Sequence, residues 1–403
     1  MADPAHSRSY MRGGEFILPM ALMISLVALS IDAMLPALQL IGSDLGVADA
    51  NRPQLVVSAL FVGLALGQLV YGPLSDSVGR KPAVYAGYAL FLAGSAVCIT
   101  AQSFDAMLAG RVLQGLGVAG PRVLTVALVR DQFSGPAMAR IMSFIMAVFI
   151  VVPALAPALG QGILYVAGWR PIFGVLIAVA MVSLIWFWWR HPETLSPAHR
   201  LPFSAGRLFG SLREVLTHRR VMGYVIATGC IFSPFVGYLS SAQQVFADCY
   251  DAGESFALWF AVLALSLGAA SIMNARLVVR YGMARISMIA VSALSVMSLL
   301  FAAYALNAGG NPPFELFIGY FMAAFFCIGL LFGNLNALAM EPLGHIAGTA
   351  ASVVGALPNL MSIPAGVLIG QLFDGTSFPL VAGFAAFSVA TLAAMRWAGS
   401  QPA

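Results

Sequence analysis

Apolar runs of about 20 residues, parted by short polar turns, recur from one end of the chain to the other, and about 20 residues is what an α-helix needs to cross a bilayer's hydrocarbon layer. Membrane strands need only about 10 residues each and alternate polar with apolar positions, so the fold is helical. The pattern predicts an all-α membrane protein with twelve transmembrane helices, roughly over 17–41, 55–74, 83–102, 106–129, 141–164, 171–189, 221–246, 256–279, 286–306, 315–340, 350–372 and 379–397. One long polar segment, RHPETLSPAHRLPFSAGRLFGSLREVLTHRR, separates the sixth run from the seventh. The expected organisation is a tail over 1–16, a six-helix bundle over 17–189, a linker over 190–220, a second six-helix bundle over 221–397 and a tail over 398–403. Residues 1–16 are polar enough to include an added leader and are set aside. The run that follows is too long for a signal-peptide core and reads as a retained first helix.

The chain is 60% hydrophobic and 9% charged, and its formal charge of +4 matters less than where the cations fall. The linker carries Arg190, Arg200, Arg207, Arg213, Arg219 and Arg220. Loops on its side add Arg80, Lys81, Arg130, Arg140, Arg280 and Arg285, against Arg52 and Arg170 opposite. Basic loops stay cytoplasmic, which puts the linker and both termini inside. Cys98, Cys230 and Cys327 lie within apolar runs and Cys249 sits alone in a loop, so no disulfide framework is expected. The five histidines fall outside the runs without metal-ligand spacing, so no metal site or other cofactor is expected. Nothing points to nucleic acid; the expected partners are the bilayer, a small-molecule substrate and a proton, with the chain acting as a monomer.

The turn after the second run reads GPLSDSVGRKP and contains Lys81, the chain's one lysine. Gly72 and Gly79 suit a tight turn. Asp76 stands where it can face a helix N-terminus or a cation of the other half. With Arg80 and Lys81 these residues form a candidate gate that latches one face and releases it; the plainer alternative makes the two cations topology signals only. Aligning Gly79 with Gly282 sets ARLVVRYGMAR in register with this turn, each after the second run of its half, as an internal repeat would. Lys81 is followed by proline, so the chain lacks the phosphate loop of an ATP-driven pump.

Within the runs, charge is rare and expensive, and so marks function. Asp32 is the one carboxylate well inside a run, and Arg111 in the fourth run lies within roughly 5 Å of its depth at 1.5 Å per residue. Burial and a nearby arginine act on a carboxylate in opposite directions, so a mobile pairing of the two is a candidate proton-coupling device. Arg122 follows Arg111 by eleven residues, which returns a helix to nearly the same face. Both arginines can then line one cavity with Asp32, together with Gln114 and Gln161. That surplus of positive charge favours an anionic or zwitterionic substrate. Snorkelling of either arginine to an interface is the alternative. Asn334, Asn336 and Asn359 are candidate cavity donors from the second half, or polar glue between helices. Pro153, Pro157 and Gly160 in VVPALAPALGQG are candidate helix-bending positions.

The turn 72–82 resembles the G-x-L-x-D-x-x-G-R-K/R element of the major facilitator superfamily, with Ser77 where arginine is frequent. Arg111 to Gly115 (RVLQG) and the proline- and glycine-rich fifth run resemble elements of drug:proton antiporters. With ALSIDAMLPAL, GWRPIF, HPETLSP and HIAGTAASVVGA they make the chain similar to the bicyclomycin-resistance (Bcr/CflA) branch, over nearly its whole length. The resemblance implies the major facilitator fold, two pseudo-symmetric six-helix bundles rocking about a central site in a bacterial inner membrane. It implies a transporter rather than an enzyme, exporting small drug-like or amphiphilic molecules against protons. Gln161 and Arg122 depart from the residues expected in that branch, which leaves uniport or proton symport of an anionic metabolite as the second reading.

Overall fold

The computed structural model describes residues 13–133, 135–200, 202 and 204–399; the expected tails over 1–12 and 400–403 lie outside them. In chain order the helices are α1 (Gly13–Asp32), α2 (Leu38–Asp44), α3 (Leu55–Val78), α4 (Arg80–Thr100), α5 (Phe104–Gln132), α6 (Gly135–Ala167), α7 (Arg170–Arg190), α8 (Ala205–Thr217), α9 (Arg219–Gln244), α10 (Phe256–Tyr281), α11 (Met283–Asn307), α12 (Phe314–Met340), α13 (Ala347–Gln371) and α14 (Phe378–Gly399). Among the described residues there is no strand, and twelve helices are long and apolar enough to cross a membrane. α1 and α2 together form the first span, and α8 belongs to the linker.

The helices depart from the expected pattern at both ends of the chain, within the first span and in the linker. The first helix begins at Gly13, inside the stretch set aside as tail, and the last runs to Gly399. The first span is not one helix: α1 stops at Asp32 and a 3₁₀ turn over Leu35–Ala37 leads into α2. The linker is not wholly irregular, because its sequence folds into the amphipathic α8, which packs on α9 and α13.

Packing pairs reveal the internal symmetry. In the first half α3 packs on α5, α1 on α6 and α4 on α7; in the second half α10 packs on α12, α9 on α13 and α11 on α14. Each pair is its counterpart moved six spans along the chain. The contacts between halves, α3 with α13 and α6 with α10, exchange under the same shift. Gly79 and Gly282 occupy equivalent turns with φ of 108° and 78° and ψ of 160° and 151°, a region that L side chains rarely adopt.

The linker begins docked on the turn that carries Gly79. The Glu193 carboxylate accepts hydrogen bonds from the backbone N–H of Arg80 (2.9 Å) and of Lys81 (3.0 Å), capping a helix that has no side-chain cap of its own. The Thr194 hydroxyl donates to Asp131 (3.0 Å). At the far end of the linker the hydroxyls of Ser211 on α8 and Thr349 on α13 bond to each other at 2.6 Å, so one segment touches both halves. Replacing Glu193 by Ala is expected to lower stability by about 1–2 kcal/mol, the loss of a charged helix cap, read as a lower melting temperature of the purified protein.

His191, just past α7, is 1% exposed, stacks on Phe187 at 5.1 Å and leaves both ring nitrogens without a partner. Burial first, and Lys81 second, push its pKa down to about 4 from 6.5. The folded state therefore prefers the neutral ring. That preference is fully present above pH 6.5 and is lost as pH falls from about 6.5 toward about 4, a total on the order of 3 kcal/mol. The variant His191→Phe keeps the stacking, and its melting temperature is expected to fall less between those pH values than that of the parent.

Candidate functional site

The break in the first span follows from Pro36. Lacking an N–H, it cannot serve the Asp32 carbonyl four residues earlier, and its ring crowds that oxygen. The ladder slips to 3₁₀ spacing, with Met34 N–H donating to the Ile31 carbonyl (3.3 Å) instead of to Ser30. The Ser30 carbonyl is thereby left for another donor.

Arg111 takes that role. Its Nη1 and Nη2 donate to the Ser30 carbonyl (3.1 and 3.0 Å), Nε donates to the Val56 carbonyl (3.0 Å) and Nη1 also donates to Gln114 Oε1 (2.6 Å). Gln114 Nε2 in turn donates to the Ser95 hydroxyl (2.9 Å), and Arg111 and Gln114 are both 0% exposed. The depth match with the first span holds, but the expected ion pair with Asp32 does not form. The guanidinium is consumed by the carbonyl that the break sets free, by the Val56 carbonyl of α3 and by Gln114, and neither Arg111 nor Gln114 lines the cavity between the halves.

Asp32 ends α1 at 5% exposure. Among the described residues no side chain donates a hydrogen bond to it and no cation pairs with it. What the second half presents is Tyr238 on α9, within electrostatic range of Asp32, fully buried, its hydroxyl without a partner. Tyr238 is fixed by rings of Phe260, Phe321 and Phe325 at 5.9, 5.8 and 4.9 Å. Its role was not legible beforehand, because a tyrosine in an apolar run reads as core. Beside Asp32, Gly160 on α6 lies directly against the Ala33 carbonyl, where any Cβ would collide. α6 runs as one helix through Pro153 and Pro157, so the part of this element that bears on the site is the close approach at Gly160.

Between the halves, toward the face that carries the linker, lies a cavity of about 430 Å³. Its inner wall includes Ile24, Gln68, Arg122, Met146 and Asn336, and its rim Asp76, Arg80 and Arg130. Of the eight expected cavity residues, Arg122 and Asn336 line it. Asn334 is instead paired reciprocally with Asn274 at 2.9 Å, Asn359 donates to Gln68 (2.9 Å) across the two halves, and Gln161 donates to the Tyr165 hydroxyl (3.0 Å). Asn334 and Asn359 are thus held at helix contacts, the outcome a low-dielectric setting favours, whereas Gln161 bonds within α6 and its Oε1 accepts from no group among the described residues.

At the rim, Arg80 is 3% exposed and donates to Asp76 (2.6 Å), Ser75 (2.7 Å) and Asp131 (2.8 Å). Asp76 therefore finds its cation in its own half rather than across the interface. The contact that does cross is steric: Gly72 on α3 abuts the Ser352 hydroxyl on α13. Lys81 is half-buried, with Nζ donating to the Trp188 carbonyl at 3.4 Å, apart from the Arg80 cluster.

The opposite face is shut by amides that gave no signal in the sequence. Gln54 donates to Gln244 (2.9 Å), Gln244 to Asn51 (3.1 Å), and Asn51 to the Phe373 carbonyl (2.8 Å), while Gln371 donates to the Asn51 carbonyl (2.8 Å). These bonds tie the start of α3 to α9 and α13.

Two pseudo-symmetric six-helix halves enclosing a cavity that is closed at one end define a membrane carrier. The chain belongs to the Major Facilitator Superfamily, whose profile it matches over residues 20–366. It is 30% identical over 395 residues to the uncharacterized MFS-type transporter YdgK of Bacillus subtilis, covering 96% of both chains. It is also 28% identical over 370 residues to a bicyclomycin resistance protein homolog of Haemophilus influenzae, covering 91% of both. Among solved structures, the human organic anion transporter MFSD10 superposes with a TM-score of 0.73 at 18% identity, covering 96% of this chain and 100% of that one. The protein is thus a multi-pass transporter and not an enzyme, with relatives in the expected bicyclomycin-resistance branch.

Proposed function

We propose that the protein is a proton-coupled exporter of small drug-like or amphiphilic molecules, working by alternating access in a bacterial inner membrane with linker and termini cytoplasmic. The observation that carries this reading is Asp32, a buried carboxylate at the contact between the halves, without a counter-ion among the described residues and within electrostatic range of Tyr238. An ionised carboxylate sealed there is costly, so its charge is tied to which side admits water. Asp32 lies on the side of the amide closure and Arg122 on the side of the cavity. In the conformation described the cavity is ready to take substrate from the cytoplasm, while opening of the amide network would give Asp32 access to protons from outside. The relative named for bicyclomycin resistance supports export. A proton returning inward releases about 2.3 kcal/mol per 100 mV, enough for roughly a 50-fold gradient of a neutral solute.

The second reading, uniport or proton symport of an anionic metabolite, draws support from Arg122 in the cavity wall. Purified protein in liposomes with an imposed pH gradient separates the two. Exchange predicts substrate moving against the proton flow and a matching change of lumenal pH. Substrate moving with the protons, or without any pH change, would remove the exporter reading.

A further inference from the structure

We infer that Arg122 is the recognition point for an anionic substrate, whose charged group it binds while Asn336 of the other half holds the remainder of the molecule. The inference deepens the exporter reading and rests on the cavity being the substrate path. Four charged groups line the cavity, and Arg122 is the deep one: it stands ten residues before the end of α5, whereas Asp76, Arg80 and Arg130 lie within two residues of the ends of α3, α4 and α5 that face the linker. Among the described residues it has no hydrogen bond, ion pair or ring contact. The deep cation of the same helix, by contrast, is engaged: Arg111 is held by carbonyls and by Gln114, which is itself bonded to Ser95. A guanidinium stays protonated under all physiological conditions, so this is a permanent cation in a low-dielectric wall. It does not snorkel to lipid, because the surface it reaches is the space between the halves.

Asn336 on α12 lines the same space from the second half and likewise has no protein partner among the described residues. Around them lie Ile24, Val123, Val126 and Met146. The volume is in the range of sites for drug-sized ligands. A carboxylate, sulfonate or phosphonate joined to a compact apolar body fits this chemistry, and the planar fork of arginine suits such an oxyanion in two parallel bonds. Arg130 at the rim adds a second cation on the entry path, while the rim acid Asp76 is already held by Arg80.

The site is also separate from the proton site. Arg111 lies level with the end of α1, to which it is bonded, and Arg122 is eleven residues further along α5, about 16 Å at 1.5 Å per residue. Anion and proton therefore do not compete for one group. An inside-negative membrane potential drives an anion outward, by about 2.3 kcal/mol per 100 mV for each charge, in the direction of export.

The experiment uses the full chain in detergent. Aromatic and aliphatic monocarboxylates and monosulfonates are each titrated beside the neutral amide and the amine of the same skeleton, with the rise in melting temperature giving apparent affinities. The stabilising compounds are expected to be the anions. Their affinity is expected to weaken about 10-fold or more in Arg122→Gln, the loss of a charge-assisted hydrogen bond, and by less, about 3- to 10-fold, in Arg122→Lys, which keeps the charge but not the planar fork. In Arg396→Gln, which removes a cation of α14 that does not line the cavity, it should stay within about 2-fold, as for sites that share no group. Stabilisation by amides or amines in preference to anions, stabilisation by no anion at all, or anion affinity untouched in Arg122→Gln would each overturn the inference. Anion binding with these signatures but without proton movement in liposomes would leave it standing and remove the exchange mechanism instead.

Discussion

Replacing Asp32 by Asn is expected to reduce proton-driven exchange to the background of empty liposomes, while the protein keeps its fold. Asparagine has nearly the volume and polarity of aspartate but cannot take up or release a proton. Because no cation or hydrogen-bond donor among the described residues is aimed at the carboxylate, the substitution breaks no bond that holds the first half together. The melting temperature should therefore move by only a few degrees, in contrast to the complete loss of coupling. Measuring lumenal pH and substrate flux in the same liposomes checks both. Coupling that survives undiminished in Asp32→Asn would sink the carrier role assigned to this residue.

The second large effect belongs to Arg111, and it is structural first. Arg111→Leu removes the donors that reach the Ser30 carbonyl, the Val56 carbonyl and Gln114, all buried. Each acceptor left without a partner costs about 1–3 kcal/mol. A combined loss of about 3–5 kcal/mol is the range seen when one side of a buried charged network is deleted. The break at Asp32 would lose its clamp, so transport is expected to disappear together with a large drop in melting temperature. Arg111→Lys keeps the charge but cannot address two carbonyls and an amide at once, and should fold with little transport. Wild-type stability in Arg111→Leu would show that the carbonyls find water or other donors, and would withdraw the clamp.

Much of the fold was legible because it is written in local pattern. Bilayer thickness fixes the length of an apolar run, so the count of spans and the division at the linker could be read directly. The repeat was visible at Gly79 and Gly282, since a turn with positive φ leaves a residue signature. The kink in the first span was present in the sequence too, as Pro36 four residues after Asp32, but a single proline in a membrane helix does not say whether the helix continues. The misreadings were all about partners. Asp32 and Arg111 share a depth that suits an ion pair, but the arginine finds its acceptors in the carbonyls of Ser30 and Val56. Asn334 and Asn359 looked like cavity donors and proved to be helix contacts.

The chain alone determined that it spans a membrane twelve times, that its halves repeat, and that Asp32, Arg111 and Arg122 carry unusual cost. Those properties depend on the transfer of each segment from water to lipid, a quantity summed over neighbours in sequence. Only the tertiary structure decided which of the three is satisfied and which is left open. Arg111 meets Ser30 across 81 positions and Asn51 meets Phe373 across 322, while Arg122 has no hydrogen-bonding or ionic partner among the described residues. Hydrogen bonds reach about 3 Å, so their partners are set by how helices distant in sequence pack side by side, and no local pattern encodes that.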